Sequence, residues 1–258
     1  MRQASDSPPF HRLAPLALAT IALALVPAAP AGAAGRVLPP DATEEQIEAG
    51  GRLSNERTLT RWAHAYTRAK VRKVPRSSAS SVTRLRYQTE DGRPEVYLAL
   101  RSVRDDKGQT WVKIRVPMRP NGRRGWVKRQ SLGPLYRVRT QLRINKRTYT
   151  AALFKNGKRI WRSRVGVGKP STPTPSGRFW IRERLKALGG IYGPWAFGTS
   201  AYSDRLTDWP GGGVIGVHGT NQPHLIPGRP SNGCVRVPNH KISRLARLMP
   251  IGTPVRIR

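Results

Sequence analysis

Short segments of alternating apolar and polar residues, separated by turn signals, recur along this chain and limit the folds open to it. In the first half they are Ala69–Val74, Val82–Tyr87, Val96–Leu100, Thr110–Val116 and Gly125–Lys128. Alternation with a period of two is typical of half-buried strands, and frequent Gly, Pro, Asn and Asp turns between them favour small barrels or sandwiches. We therefore predict a mainly β protein with little helix.

The same pattern continues from Tyr136 to Arg258, beginning with the alternating run Arg137–Ile144. The turn Asn156-Gly157 between Thr148–Phe154 and Arg159–Val167 predicts a hairpin. The segment Lys169–Gly177 contains three prolines and is expected to be an extended loop, because proline interrupts strand ladders.

The end of the chain predicts one helix among further strands. Gly213–His218 is expected to be a buried strand, and the Gly- and aromatic-rich Leu188–Pro210 a long loop that walls a groove. A short helix is predicted over His240–Leu248 with Asn239 as its cap, followed by a last strand, Pro254–Arg258.

The first 33 residues have the pattern of a secretory signal peptide. Basic residues precede the apolar run Leu13–Val26, and Ala31-Gly32-Ala33 is typical of a cleavage site. The alternative is an uncleaved N-terminal anchor. We expect an exported protein of the cell envelope, periplasmic or associated with the wall, without a stable membrane span once the leader is removed.

The formal net charge is +33, from 47 Lys and Arg against 14 Asp and Glu. Such a surface attracts polyanions. For an exported protein we expect anionic wall polymers or wall-peptide carboxylates rather than nucleic acid, the alternative being that the arginines are simply solvated. Residues 34–60 are more acidic, with a short helix predicted after Thr43. They are predicted to be a linker that packs on the basic surface.

Cys234 is the only cysteine, so an internal disulfide is impossible, and a lone thiol in an oxidising compartment is either buried and inert or kept for its reactivity. The turn-prone Ser231, Asn232 and Gly233 precede it, and a glycine lets a substrate carbonyl approach the backbone closely. A thiol needs a base to become a good nucleophile. These features predict acyl transfer through a thioester.

Three histidines lie near enough in sequence to be that base. His218 is favoured because it ends a strand, whereas His224 lies in a loop and His240 opens the predicted helix. The second half has few carboxylates, so we expect a backbone carbonyl, most simply that of Gly219, to orient the imidazole. The alternative is a zinc site built from these histidines and Cys234, but their spacing fits no compact zinc motif.

Two resemblances to known families add to this interpretation. The stretch WVKIRVPMRPNGRRGWVKRQSLG, within 61–134, resembles bacterial SH3-like small barrels, which implies an envelope-targeting or spacer domain, or a packing domain without a ligand. The motifs GKPSTPTPSG, VHGT and SNGCVR, within 136–258, resemble the L,D-transpeptidase catalytic domain. That likeness implies a β-sandwich with one short helix, preceded here by the SH3-like barrel.

The second resemblance implies roles for particular residues. Cys234 is then the nucleophile, His218 the acid and base, and Gly219 the orienting carbonyl. The residues expected to bind substrate are Ser231, Asn232, Gly233, Arg236, Tyr192 and Trp195. The family commonly has histidine where this chain has Asn232, which puts the pH profile and the substrate preference in question more than the reaction.

The implied substrates are peptidoglycan stem peptides. The thiol attacks the carbonyl between the third residue and the terminal D-alanine, and the acyl group passes to an amine of a neighbouring stem, which cross-links two third residues. No metal or cofactor is needed. The alternatives are an L,D-carboxypeptidase, in which water replaces the amine, and a catalytically weak wall-binding protein. A papain-like protease is disfavoured because its cysteine precedes its histidine.

Overall fold

The computed structural model describes residues 35–207 and 212–258, and the predicted leader, residues 1–33, lies outside them. Within this part of the chain the regular structure consists of two sheets, two α-helices and three single-turn 3-10 helices, so the mainly β prediction is confirmed. No helix within it reaches the length and apolarity needed to cross a membrane.

The N-terminal sheet is antiparallel and has eight strands in the order β4-β3-β7-β6-β5-β2-β8, with β1 pairing to β5. Helix α1 (Glu44–Ala49) precedes it. The strands are β1 (Gly51–Arg52), β2 (Thr60–Ala63), β3 (Lys70–Arg72), β4 (Ser81–Arg84), β5 (Tyr97–Arg104), β6 (Thr110–Arg115), β7 (Arg124–Lys128) and β8 (Tyr136–Val138). All five predicted strands of this region are present, with shifted ends. The resemblance to SH3-like barrels stays a prediction.

The acidic segment before this sheet packs on it, as its charge predicted. Thr43 and Gln46 form a reciprocal capping box at the start of α1. Glu44 forms an ion pair with Arg129, and Glu56 forms one with the buried Arg115. The segment predicted to be a linker therefore includes a helix, a strand and two ion pairs that attach it to the sheet.

The C-terminal sheet is mixed and has ten strands in the order β11-β10-β9-β18-β13-β14-β15-β17-β12-β16. The strands are β9 (Thr140–Asn145), β10 (Thr150–Lys155), β11 (Lys158–Arg164), β12 (Gly166–Gly168), β13 (Gly177–Gly189), β14 (Gly193–Tyr202), β15 (Val214–His218), β16 (Gly228–Ser231), β17 (Val235–Arg236) and β18 (Pro254–Ile257). One hydrophobic cluster contains side chains from strands along this path, from β11 to β12, and from helix α2 (Asn239–Leu248).

Three predictions for this half need correction. The run Arg137–Ile144 is not one strand: β8 pairs with β2 of the first sheet, and β9 belongs to the second. Much of Leu188–Pro210 is not a loop, because β13 and β14 form a long hairpin through Gly189–Gly193. The sequence shows no period-two alternation over β14, because this strand is buried on both faces, and the hairpin was therefore not predicted. Helix α2 begins at Asn239 itself, with Pro238 as the residue before it.

The two sheets share a buried contact region. The Trp180 indole N–H donates to the Val96 carbonyl over 2.8 Å. Beside it the buried guanidinium of Arg182 lies 2.5 Å from Glu95 and 2.8 Å from Glu90, two carboxylates of the first half. Removing one partner of such a buried ion pair leaves an uncompensated charge, which typically costs about 3–5 kcal/mol. The contact therefore fixes how the N-terminal sheet meets β13.

Candidate active site

Two adjacent parallel strands bring the thiol and the imidazole together. His218 is the last residue of β15, and Cys234 directly precedes β17, which pairs with β15 through Val217↔Val235 and His218↔Arg236. Gly216 lies two residues before His218 on β15, and its N–H donates to Cys234 Sγ over 3.3 Å. Residues 16 positions apart in sequence thus meet through sheet pairing, and a rigid element holds each of them.

A backbone carbonyl orients the imidazole. His218 Nδ1 lies 2.6 Å from the Gly219 carbonyl oxygen, so Nδ1 carries the proton and Nε2 is the unprotonated nitrogen of the neutral ring. The Tyr192 ring packs edge-on against the imidazole, with 5.0 Å between the ring centroids. The contact expected between His218 and Gly219 is therefore present.

Asn239 packs against Gly219 and binds the residue after it, a role that was not predicted. Its side chain does not cap α2; instead its Oδ1 accepts from the Thr220 N–H over 2.9 Å. A Cβ at Gly219 would lie 2.4 Å from that oxygen and 3.0 Å from Gly193. Only glycine fits between them, which explains the residue at this position.

The turn before Cys234 is fixed by hydroxyl groups. Ser231 Oγ accepts from the Gly233 N–H and donates to the Cys234 carbonyl over 2.6 Å. Gly233 has φ +119°, a conformation that favours glycine. The buried Thr174 of the proline-rich loop donates to the Gly233 carbonyl over 2.7 Å. Sequence analysis assigned no role to Thr174, because nothing local indicates a partner 59 residues away.

The charge state of the pair follows from burial. Burial lowers the pKa of His218 to about 4, opposed by the backbone carbonyls of Gly219 and Ile191 and aided by the charge of Arg236. Burial also raises the pKa of the Cys234 thiol, although the Gly216 N–H and Arg236 oppose that shift. Both groups are therefore neutral near pH 7 in the resting protein, as thiol and imidazole.

A cavity of about 130 Å³ opens over this pair. Its lining includes Cys234, His218, Tyr192, Ser231, Asn232 and Arg236. Gly219 and Gly233 are not among the lining residues, but each forms a hydrogen bond with one of them, His218 and Ser231 respectively. Trp195 does not line it: its ring stacks on Arg184 at 4.6 Å, and only its carbonyl, which accepts from the Gly219 N–H, contacts this region. His224 and His240 do not line it either.

The far wall of the cavity depends on a residue that sequence analysis missed. Ser203, Leu206 and Gly213 line that wall. Arg119, from the turn between β6 and β7, donates through one guanidinium nitrogen to the carbonyls of Ser203, Leu206 and Gly212, over 3.3, 3.0 and 2.9 Å. The N-terminal sheet thus holds one wall of a cavity in the other sheet.

Comparisons with known proteins find similar sequences for this half of the chain. Residues 139–257 match the model of the YkuD family, described as the L,D-transpeptidase catalytic domain. The chain is 36% identical over 93 residues to the Bacillus subtilis protein named "Putative L,D-transpeptidase YkuD", covering 36% of this chain and 50% of the relative. It is 33% identical over 108 residues to the protein of the same name from Bacillus licheniformis, covering 42% and 59%. The chain thus spans about half the length of these relatives.

Part of the chain is similar to a solved structure. The catalytic domain of an E. faecium L,D-transpeptidase is 22% identical, with a TM-score of 0.35, covering 46% of this chain and 96% of that one.

Proposed function

We propose, from the match of residues 139–257 to the YkuD family of L,D-transpeptidase catalytic domains, that the protein cross-links peptidoglycan stem peptides through a thioester on Cys234. The observation that carries the proposal is that the buried His218 and the half-buried Cys234 line one cavity, with the Gly219 carbonyl fixing the tautomer of the imidazole. A neutral imidazole with an unprotonated Nε2 is the form that accepts a proton.

The first step makes the acyl-enzyme. His218 takes the thiol proton as Cys234 Sγ attacks the carbonyl carbon between the third stem residue and the terminal D-alanine. The bond to D-alanine then breaks, and His218 gives the proton to the leaving amine. Because the resting pair is neutral, proton transfer accompanies attack instead of preceding it.

The backbone offers a donor for the oxyanion that forms in this step. Within the described part of the chain, the Cys234 N–H makes no hydrogen bond, whereas the Gly233 N–H donates to Ser231. An N–H beside the nucleophile is where acyl-transfer enzymes hold the developing negative charge. We assign the Cys234 N–H to that role.

The second step releases the product. An amine of a neighbouring stem attacks the thioester carbon, His218 accepts its proton, and the thiol leaves protonated. The new amide joins two third residues. Arg236 lines the cavity, and among the described residues its side chain donates only to Gln222, over 2.8 Å, so part of its guanidinium is available for a stem carboxylate.

Export and domain organisation belong to the same proposal. Residues 1–33 act as the leader, residues 34–60 as the attachment to the first sheet, residues 61–134 as a small envelope-targeting or spacer domain, and residues 136–258 as the catalytic domain. The cell envelope is where both stem peptides and anionic polymers lie.

Mass spectrometry of the purified protein with a disaccharide-tetrapeptide tests the reaction. We expect a thioester on Cys234, release of D-alanine and a cross-linked dimer. The Cys234→Ser variant should lose the adduct, and His218→Ala should lose most of it. D-alanine release without dimer would favour the L,D-carboxypeptidase. Dimer formed by Cys234→Ser would overturn the mechanism, and tight wall binding by an unmodified thiol would favour a binding protein.

A further inference from the structure

Three arginines stand side by side on adjacent strands of the C-terminal sheet. Arg143 on β9 pairs with Arg256 on β18, which pairs with Arg178 on β13. Their neighbours along the strands, among them Leu142, Val255 and Phe179, are buried in the core. Side chains alternate between the faces of a strand, so the three arginines lie together on the opposite face. We call them the arginine row.

The row carries charge that the described part of the chain does not neutralise. Within it none of the three arginines forms an ion pair. The nearby Glu56 is bound to Arg115 at 2.5 Å. Like charges directly opposite each other on a sheet are destabilising. A row of this kind therefore costs stability unless an anion covers it.

Further guanidinium groups surround the row. The pKa of Arg143 lies below its ordinary value, first because of burial and then because of neighbouring positive charges. Those charges belong to Arg57, Arg258 and Arg256. The positive charges are thus close enough to repel one another.

The row borders a cavity and is partly fixed in place. This cavity has a volume of about 170 Å³, and its charged lining residues are Arg52, Arg57, Arg178, Arg256 and Glu56, the last of which is paired with Arg115. Arg143 Nε donates to Gln141 over 2.7 Å, and its guanidinium lies 4.1 Å from the centre of the Phe154 ring. An oriented guanidinium loses less freedom when it binds an oxyanion. This cavity shares no lining residue with the one over Cys234.

We propose that the arginine row and its cavity bind a linear phosphodiester polymer of the cell wall, which holds the protein on the wall while the catalytic cavity stays open. Neighbouring strands are about 4.8 Å apart, so the three charges span about 10 Å and suit a chain of repeated anions better than a single ion. Guanidinium groups match phosphate oxygens in a bidentate manner. The proposal rests on the proposed envelope location but not on the catalytic mechanism.

Binding of a poly(glycerol phosphate) chain to the purified protein, measured by titration calorimetry at several salt concentrations, tests this inference. The variant Arg143→Gln/Arg178→Gln/Arg256→Gln should bind at least tenfold more weakly. Its slope of log K against log salt should fall by about 2, at about 0.7 per lost charge for a single-stranded polyanion. The matched control Arg159→Gln/Arg162→Gln/Arg164→Gln, on β11, removes the same charge and should change affinity less than threefold.

Two further measurements separate this proposal from its rivals. Without polymer and at low salt, the variant of the row should melt at a higher temperature than the natural protein, because repulsion is relieved. Cys234→Ser should bind the polymer normally, so loss of catalysis and loss of binding are distinguishable. An equal loss of affinity in the β11 control would overturn the proposal. So would tighter binding of polygalacturonate, a carboxylate polymer, or of a single-stranded oligonucleotide.

Discussion

The reactivity of Cys234 is set at the scale of single residues by burial and by one nearby charge. Because the pKa of the thiol is raised and that of His218 is lowered to about 4, the resting pair holds no thiolate at neutral pH. We predict that iodoacetamide alkylates Cys234 slowly at pH 6 and faster as the pH rises above the ordinary cysteine value near 8.5. Mass spectrometry of the alkylated protein against pH measures this rate.

Substitution of Arg236 tests how much its charge contributes to the alkylation rate of Cys234. This charge lowers the pKa of Cys234, so Arg236→Gln should move the alkylation profile to higher pH. Arg229→Gln, an exposed change on the neighbouring β16, should leave the profile in place. A constant alkylation rate from pH 5 upward would show instead that a thiolate–imidazolium pair is the resting state.

Much of the candidate site could be predicted at this scale, because its signals are local. The only thiol, the glycine before it and a histidine at the end of an apolar run identified Cys234 and His218. The few carboxylates nearby pointed to the Gly219 carbonyl. Thr174 and Asn239 were not predicted, since their hydrogen bonds to Gly233 and Thr220 cross long stretches of sequence.

At the scale of elements, the turn between β6 and β7 holds the far wall of the catalytic cavity through Arg119. Hydrogen bonds from a charged donor are each worth about 1.5–3 kcal/mol. We predict that Arg119→Gln raises the KM for the tetrapeptide donor about tenfold, with a smaller change in kcat. Steady-state kinetics of D-alanine release gives both values.

Alkylation of Cys234 distinguishes this positioning role from a general loss of structure. The alkylation profile of Arg119→Gln should match that of the natural protein, because Arg119 contacts neither the thiol nor the imidazole. Arg123→Gln, an exposed change in the same turn, serves as the control and should keep the KM. An unchanged KM in Arg119→Gln, or a shifted alkylation profile, would contradict this role.

Elements were predictable where one face of a strand is solvated. The hairpin at Asn156-Gly157 forms as expected, with both residues at positive φ. Strand β2 was missed because all four of its residues are buried, including the charged Arg61. The hairpin of β13 and β14 was taken for a loop for a related reason: almost all of β14 is covered by its neighbours. Alternation vanishes when both faces are buried.

At the scale of the whole molecule, the two sheets meet around groups that sequence patterns do not reveal. Arg182 and Trp180 of β13 reach carboxylates and a carbonyl of the first half. The way in which β13 meets the N-terminal sheet therefore depends on contacts between residues about 90 positions apart in sequence. The residue after Arg182 is Glu183, which is buried and contacts Thr89 of the first half.

Glu183 makes the stability of this assembly depend on pH. Its carboxylate is buried, and one oxygen accepts from the Thr89 hydroxyl over 2.9 Å, while the other has no hydrogen-bond partner within the described residues. Burial raises its pKa to about 7, with Asp91 adding to the rise and Thr89 opposing it. An unfolded glutamate has a pKa of about 4.3. The folded protein therefore binds more protons than the unfolded chain between about pH 4 and pH 7.

The sign of the effect follows from that difference in bound protons. The contribution of Glu183 to stability is complete below about pH 4 and is lost as the pH rises through about 7. The loss is about 4 kcal/mol, at about 1.4 kcal/mol for each of the roughly 2.7 units between the two pKa values. Glu183→Gln keeps the shape without the charge. It should match the natural protein in its free energy of unfolding at pH 4 and exceed it increasingly towards pH 8.

Urea unfolding at each pH measures this difference, since the midpoint and slope give the free energy of unfolding. Glu48→Gln is the control, because Glu48 is exposed on α1 and makes no ion pair within the described chain. Its curve should run parallel to that of the natural protein. If the free energy of unfolding of Glu183→Gln also runs parallel to that of the natural protein at every pH, the carboxylate is already ionised in the folded protein at pH 5. The junction of the two sheets would then have to contain a partner for it.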